Sequence, residues 1–188
     1  MGEKIVLLDE AGHAIGTAPK AESHHQNTPF HLAFSSYLVD ASGRVLISQR
    51  AHHKASFPSV WTNSACGHPA PGEGLREAVS RRVKSELGLT VSDITLVLPE
   101  FTYRAEMNGV VEHEWCPVVR ATVDAEPRRD PDEVEDTQWR DWAGVKELRA
   151  DPLASPWFLE QMEQLVPLGE PLAWKQADER LLPPAIAW

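Results

Sequence analysis

Cysteine is almost missing from this 188-residue chain, which has two, Cys66 and Cys116. Two thiols do not make a disulfide framework, so the fold must rest on its own core, in a reduced, cytoplasmic compartment. Long apolar runs are missing as well. The N-terminal MGEKIVLLDEAG is acidic within nine residues and holds only four consecutive apolar ones, unlike a signal peptide. No stretch approaches the ~20 apolar residues of a membrane span. Positive charge is scarce: 18 Lys and Arg stand against 28 Asp and Glu, a net charge of −10. That balance excludes a general nucleic-acid or anionic-membrane surface, which needs a basic face. It leaves room for a small anion in a locally basic pocket. Repeats, charge blocks and low-complexity linkers are also lacking, so a single compact domain is expected over residues 1–188.

Proline, tryptophan and histidine are plentiful instead, at 15, 7 and 8. Many prolines favour a loop-rich α+β fold over a bundle of long helices. A strand followed by a turn is expected at about 4–8, a hairpin across 31–50 around Ala-Ser-Gly, and a short strand at 94–99. A longer hairpin is expected from Phe101 to Val123 around Met-Asn-Gly. One helix is expected from Gly74 to Leu87, stopped by Gly88 as a left-handed cap. Another begins at Ser155-Pro156, a capping residue followed by proline in the first turn, and runs to about Val166. The proline-rich tail after about residue 168 has no assignment.

The first helix buries the wrong residues. With Leu75 at 0° and about 100° per residue, Ala78, Val79 and Val83 define an apolar stripe, and Arg82 and Glu86 fall inside it at about −20° and +20°. Burying an unpaired charge costs several kcal/mol, so both need partners. Either they pair with each other at i,i+4, or the helix lines a cleft with Glu86 on a metal and Arg82 on an anion.

Histidines and carboxylates recur at ligand spacing in His24-His25…His31, Cys66-Gly67-His68 and Glu112-His113-Glu114. On a strand Glu112 and Glu114 share one face and His113 takes the other. Two adjacent buried carboxylates do not both stay ionised without a cation nearby. Imidazoles with carboxylates suit Mn²⁺ or Mg²⁺ more than a structural Zn²⁺. Taken singly, each of these residues has an ordinary structural explanation, and spacing alone does not bring the segments together.

Gly67, Glu73, Arg81, Val83, Glu86, Gly88 and Leu89 fall at the offsets of the Nudix box. Arg82 and Ser85 stand where its two other helix glutamates belong, which argues against metal-activated hydrolysis. With HLAFSSYL (31–38), Arg50 and Lys54, WTNSACGHP (61–69), FTYRAE, VEHEWCPV (111–118) and ASPW (154–157), the chain resembles type I isopentenyl-diphosphate delta-isomerase from about Lys20 to Trp157. The resemblance implies a Nudix-like fold of mixed β-sheets flanked by helices, and interconversion of isopentenyl and dimethylallyl diphosphate in isoprenoid biosynthesis. It implies a metal site of His24, His31, His68, Glu112 and Glu114, holding Mn²⁺ or Mg²⁺ with Zn²⁺ as the alternative. A Mg²⁺ bridging to the diphosphate would sit on Glu86 and the Cys66 carbonyl. Lys20, Arg50, Lys54 and Arg82 would contact the diphosphate. Cys66 and Glu114 would be the acid–base pair, assisted by Tyr103, with Trp157 stabilising a tertiary carbocation. The expected partner is this small prenyl diphosphate, with no nucleic acid or membrane, and the expected state a monomer. A Nudix-fold diphosphate hydrolase and a non-enzymatic binding module are the competing readings.

Overall fold

The computed structural model describes residues 2–188. Its strands are β1 (Lys4–Leu8), β2 (Ala14–Pro19), β3 (His31–Leu32), β4 (Phe34–Val39), β5 (Val45–Arg50), β6 (Trp61–Thr62), β7 (Ala65–Gly67), β8 (Ser92–Leu98), β9 (Thr102–Met107), β10 (Val110–Trp115), β11 (Val118–Thr122) and β12 (Val134–Arg140). The helices are α1 (Lys20–Ser23), α2 (Leu75–Leu87), α3 (Trp142–Glu147) and α4 (Pro156–Leu165). One sheet has the order β2-β1-β3-β10-β9; the other runs β12-β5-β4-β11-β8, with β6 on β5 and β7 on β4.

The second sheet is covered on both faces. Every residue of β4 is buried, as a central strand between two helical layers requires. Tyr37, Val39, Val45 and Ile47 pack with Trp142, Val145, Phe158 and Met162 of α3 and α4. Leu38 and Leu46, one residue out of step, pack with Leu75, Val79 and Val83 of α2. Each fully buried Leu or Val side chain contributes about 1.5–3 kcal/mol of transfer free energy, which fixes the register of these layers. Helix α2 stops at Gly88, whose φ of 67° lies in the left-handed region. Helix α4 begins where Ser155 accepts a hydrogen bond from the Phe158 amide and Pro156 fills the first turn. The proline-rich tail is packed: Trp174 lies in one core and Leu182 and Ile186 in the other. No helix among the described residues is long and apolar enough to cross a membrane.

Two expected strands are each divided between the sheets. The arm expected to begin at His31 breaks at Ala33, so His31–Leu32 belongs to the first sheet and Phe34–Val39 to the second. The arm from Val110 to Val123 breaks at Cys116-Pro117, where proline has no N–H for the ladder. The paired breaks create two parallel contacts, β3 with β10 and β4 with β11. They set His31 directly beside Glu114. Two short antiparallel pairings, β4 with β7 and β5 with β6, bring the Trp61–Gly67 segment onto the second sheet.

Candidate active site

A cavity of about 550 Å³ opens between the two sheets and α2. Of the thirteen residues that the resemblance assigns to the site, twelve line it, and His31 lies fully buried.

At one end, His24, His31, His68 and Glu114 bring ligand atoms within 4.8 Å of one another. His31 Nε2 and His68 Nε2 lie 3.3 and 3.2 Å from Glu114 Oε1. Glu112 joins through His24, its Oε2 3.2 Å from His24 Nε2. The backbone fixes two of the imidazoles. Nδ1 of His31 lies 2.8 Å from the Pro29 carbonyl and Nδ1 of His24 lies 3.2 Å from the Lys20 carbonyl. A carbonyl only accepts, so both Nδ1 atoms are donors and both Nε2 atoms face inward, where a metal would displace any proton they carry. Glu112 Oε2 is buried without a hydrogen bond. Converging ring nitrogens and an orphaned carboxylate oxygen fit a divalent cation. Burial pushes the His68 imidazole down to about 4, keeping it neutral as a ligand must be. Burial also opposes ionisation of Glu114, but His31 and His68 outweigh it and hold the carboxyl well below its usual range. His113 faces away, against the Phe30 ring at 4.7 Å.

At the other end, α2 carries Arg82 and Glu86 into the cavity wall. They form the i,i+4 pair and they also line the cleft. Arg82 further approaches Glu3 (3.3 Å) and Glu133 (3.5 Å), and its Nε is buried with no partner, a donor left for an anionic oxygen. Glycine is required at 67 because the Arg82 side chain lies against it; a Cβ there would meet Arg82 Cγ at 2.6 Å. Lys54 pairs with Glu133, and Lys20 Nζ with Glu3 at 2.6 Å. Arg50 is held without a carboxylate. Its guanidinium donates to the Ser56 and Phe57 carbonyls and sits 5.8 Å from the Trp157 ring. Burial raises the Glu86 carboxyl, with Arg82 pulling it back and Glu133 pushing it further up.

Between these ends lie the reactive candidates. Cys66 enters on β7 of the second sheet and Glu114 on β10 of the first. Cys66 Sγ donates to Asn63 Oδ1 at 3.2 Å, and burial pushes the thiol up to about 11. Tyr103 donates to Glu114 Oε2 at 2.8 Å; burial, then the charge of Glu114, holds its phenol well above the usual value. The Trp157 indole N–H donates to Thr62 Oγ1 at 2.7 Å, and its ring rests 5.7 Å from Tyr103 and 5.2 Å from Phe57. The indole is thereby pinned at the cavity wall.

The NUDIX domain model matches residues 29–164. A protein of Saccharopolyspora erythraea named isopentenyl-diphosphate delta-isomerase is 52% identical over 190 aligned positions, covering 97% of this chain and 96% of its own. Proteins of the same name from Mycolicibacterium vanbaalenii (50%; 89% and 93% covered) and Rhizobium rhizogenes (47%; 97% and 90%) match nearly as well. This chain belongs to the isopentenyl-diphosphate delta-isomerases of the Nudix family. Solved structures agree on the fold. A Deinococcus radiodurans protein superimposes with a TM-score of 0.67 at 18% identity, over 86% of this chain and 98% of its own. A Burkholderia pseudomallei MutT NUDIX hydrolase gives 0.55 at 24%, over 72% and 98%.

Within this isomerase-family chain, parts of the Nudix box are architectural. Glu73 takes two hydrogen bonds of 2.7 Å from Arg81 and one of 2.8 Å from the Ala70 amide, closing the loop ahead of α2 outside the cavity. Ser85 turns its hydroxyl onto the Arg82 carbonyl. Glu3 and Glu133, which neutralise three of the four cations, were not expected.

Proposed function

We propose that this chain interconverts isopentenyl and dimethylallyl diphosphate by adding a proton to one face of the allylic unit and removing one from the other. The observation that carries this reading is that Cys66 and Glu114 come from different sheets onto one cavity, beside a pinned indole. Cys66 rests as a thiol and Glu114 as a carboxylate, so the pair holds one proton between them. That is the stoichiometry of a reaction that takes in one proton and gives one back, in either direction. Protonation of an unactivated alkene leaves a tertiary carbocation. The Trp157 face stabilises it by about 0.5–2 kcal/mol without a lone pair that could trap it. Tyr103 orients Glu114 through its hydrogen bond, and the walls of the cavity keep water from the cation.

Lys20, Arg50, Lys54 and Arg82 grip the diphosphate and hold the hydrocarbon end between acid and base. His24, His31, His68, Glu112 and Glu114 would hold Mn²⁺ or Mg²⁺, and Glu86 with the Cys66 carbonyl would hold a Mg²⁺ on the diphosphate. Bound there, these ions supply the positive charge that lets clustered carboxylates stay ionised beside an anionic substrate. The reading includes a single domain acting as a monomer in the cytoplasm.

The test is incubation with isopentenyl diphosphate, Mg²⁺ and trace Mn²⁺, followed by carbon and phosphorus NMR, with Cys66→Ala and Glu114→Gln alongside. The expected result is dimethylallyl diphosphate with its diphosphate intact, absent in both variants. Phosphate release without a moved double bond would make the chain a hydrolase; metal-loaded protein giving neither product would make it a binding module.

A further inference from the structure

Three fully buried polar side chains have no part in the site as described: Ser35 and Tyr37 on β4, and Gln161 on α4. They form a line that ends on the active-site thiol. Tyr37 donates to Gln161 Oε1 at 2.8 Å, Gln161 Nε2 donates to Ser35 Oγ at 2.9 Å, and Ser35 Oγ lies 3.5 Å from Cys66 Sγ and 3.4 Å from Cys116 Sγ.

The Gln161 amide stands with Oε1 toward the Tyr37 phenol and Nε2 toward Ser35, the orientation in which the phenol donates. Ser35 accepts there, which leaves its one proton to point at a sulfur. On the other side of Cys66, Asn63 spends both amide protons on the Ser36 and Ala65 carbonyls, at 3.0 and 2.9 Å, and presents only an oxygen to Sγ. Cys66 Sγ therefore sits between Asn63 Oδ1, which only accepts, and the Ser35 hydroxyl, whose one proton serves Cys66 or Cys116. Packing does not explain this. An apolar trio would fill the same volume without the cost of burying a hydroxyl, a phenol and an amide, and that cost is recovered only because each is bonded to the next.

We propose that Ser35, oriented by Gln161 and Tyr37, is a positioning residue for Cys66, fixing Sγ on the cavity wall and keeping a donor aimed at it when its proton has moved to substrate. The proposal rests on the reading of Cys66 as an acid–base group. Cys116, the second sulfur in reach of Ser35, is a bystander that shares the donor in the resting protein.

The experiment is steady-state kinetics of the full chain with isopentenyl diphosphate and saturating Mg²⁺ and Mn²⁺, for Ser35→Ala, Gln161→Met, Tyr37→Phe, Cys116→Ala and Cys66→Ala, each with its thermal midpoint recorded. Ser35→Ala and Gln161→Met should lower kcat by about 10–100-fold with KM within about threefold, the signature of a lost interaction that orients a reacting group. Tyr37→Phe touches no atom of the cavity and frees the Gln161 amide to turn over; it should lower kcat by about 3–10-fold, also at unchanged KM. Cys116→Ala should stay within about twofold of the parent. If Ser35→Ala does not fold, Tyr37→Phe decides alone. Unchanged kcat in the folded line variants, with Cys66→Ala inactive, overturns the positioning role alone, as does a raised KM at unchanged kcat. An active Cys66→Ala overturns the acid–base reading beneath it.

Discussion

At one end of the cavity five residues, three imidazoles and two carboxylates, converge without a Lys or Arg among them; at the other, four cations crowd together and three already meet carboxylates. The first end is held by strand register, with Glu114 paired to His31 across β10 and β3, and by carbonyls that fix two imidazoles. It is shaped for a cation before anything else arrives. The second end is closed on itself. Lys20, Arg50, Lys54 and Arg82 against Glu3, Glu86 and Glu133 leave one net positive charge, too little to hold a diphosphate without a divalent ion. One end gathers imidazoles and carboxylates with no resident Lys or Arg, the other pairs its cations with carboxylates. A preformed end costs little reorganisation; at the other end, an incoming anion would have to displace carboxylates from their cations.

Several changes would break or sharpen that contrast. Glu114→Gln strikes the residue that serves both metal end and chemistry, and should lower kcat by at least ~10³-fold, followed as dimethylallyl diphosphate by NMR. Removing metal should act on the preformed end alone. Chelation of Mn²⁺-loaded protein should lower Tm by about 5–10 °C, as loss of a ligand held near 100 times its Kd implies for a chain of this size. His31→Ala should abolish that difference in the same calorimetric scan. At the exchangeable end, Arg50→Met removes the cation that meets no carboxylate, and should raise KM by about 10–50-fold while kcat changes only a few-fold.

The pH dependence of stability isolates the carboxylates standing in for substrate. Burial works against ionisation of Glu133, but Lys54 and Arg82 hold it below its usual 4.5. A depressed carboxyl stabilises the fold above its unfolded value and loses that contribution as pH falls through the folded one. Glu133→Gln should therefore lower Tm by about 2–4 °C at pH 7, and the gap should close as pH falls below the usual 4.5 and through the depressed folded value. The smallest effect belongs to His113→Ala, within about twofold in kcat, since strand alternation turns that ring away from both ends.

How much of this was legible in the sequence varies with how local the cause is. Helix α2, its Gly88 stop and its buried Arg82 and Glu86 follow from 3.6-residue periodicity, and Glu112 and Glu114 sharing a face follows from strand alternation. The division of 31–39 between two sheets was not legible, because Ala33 carries no turn residue and the break is set by the Ala33 amide reaching the Trp115 carbonyl far along the chain. Pro117 marks the matching break, yet the spacing says nothing of which sheet the chain enters next. Glu3 and Glu133 were hidden for the same reason: a carboxylate's partner is a property of the fold, and in a chain of charge −10 most carboxylates are solvated. The Ser35–Gln161 line joins residues 126 positions apart, which no periodicity announces.

A Mn²⁺ titration followed by electron paramagnetic resonance, with and without inorganic pyrophosphate, bears most directly on the contrast between the two ends. One Mn²⁺ per chain should bind without pyrophosphate and be lost in His31→Ala, and a second should bind only with pyrophosphate and be lost in Glu86→Gln. Binding of both ions only with pyrophosphate, or a first ion indifferent to His31, would contradict a preformed metal end facing an exchangeable anion end.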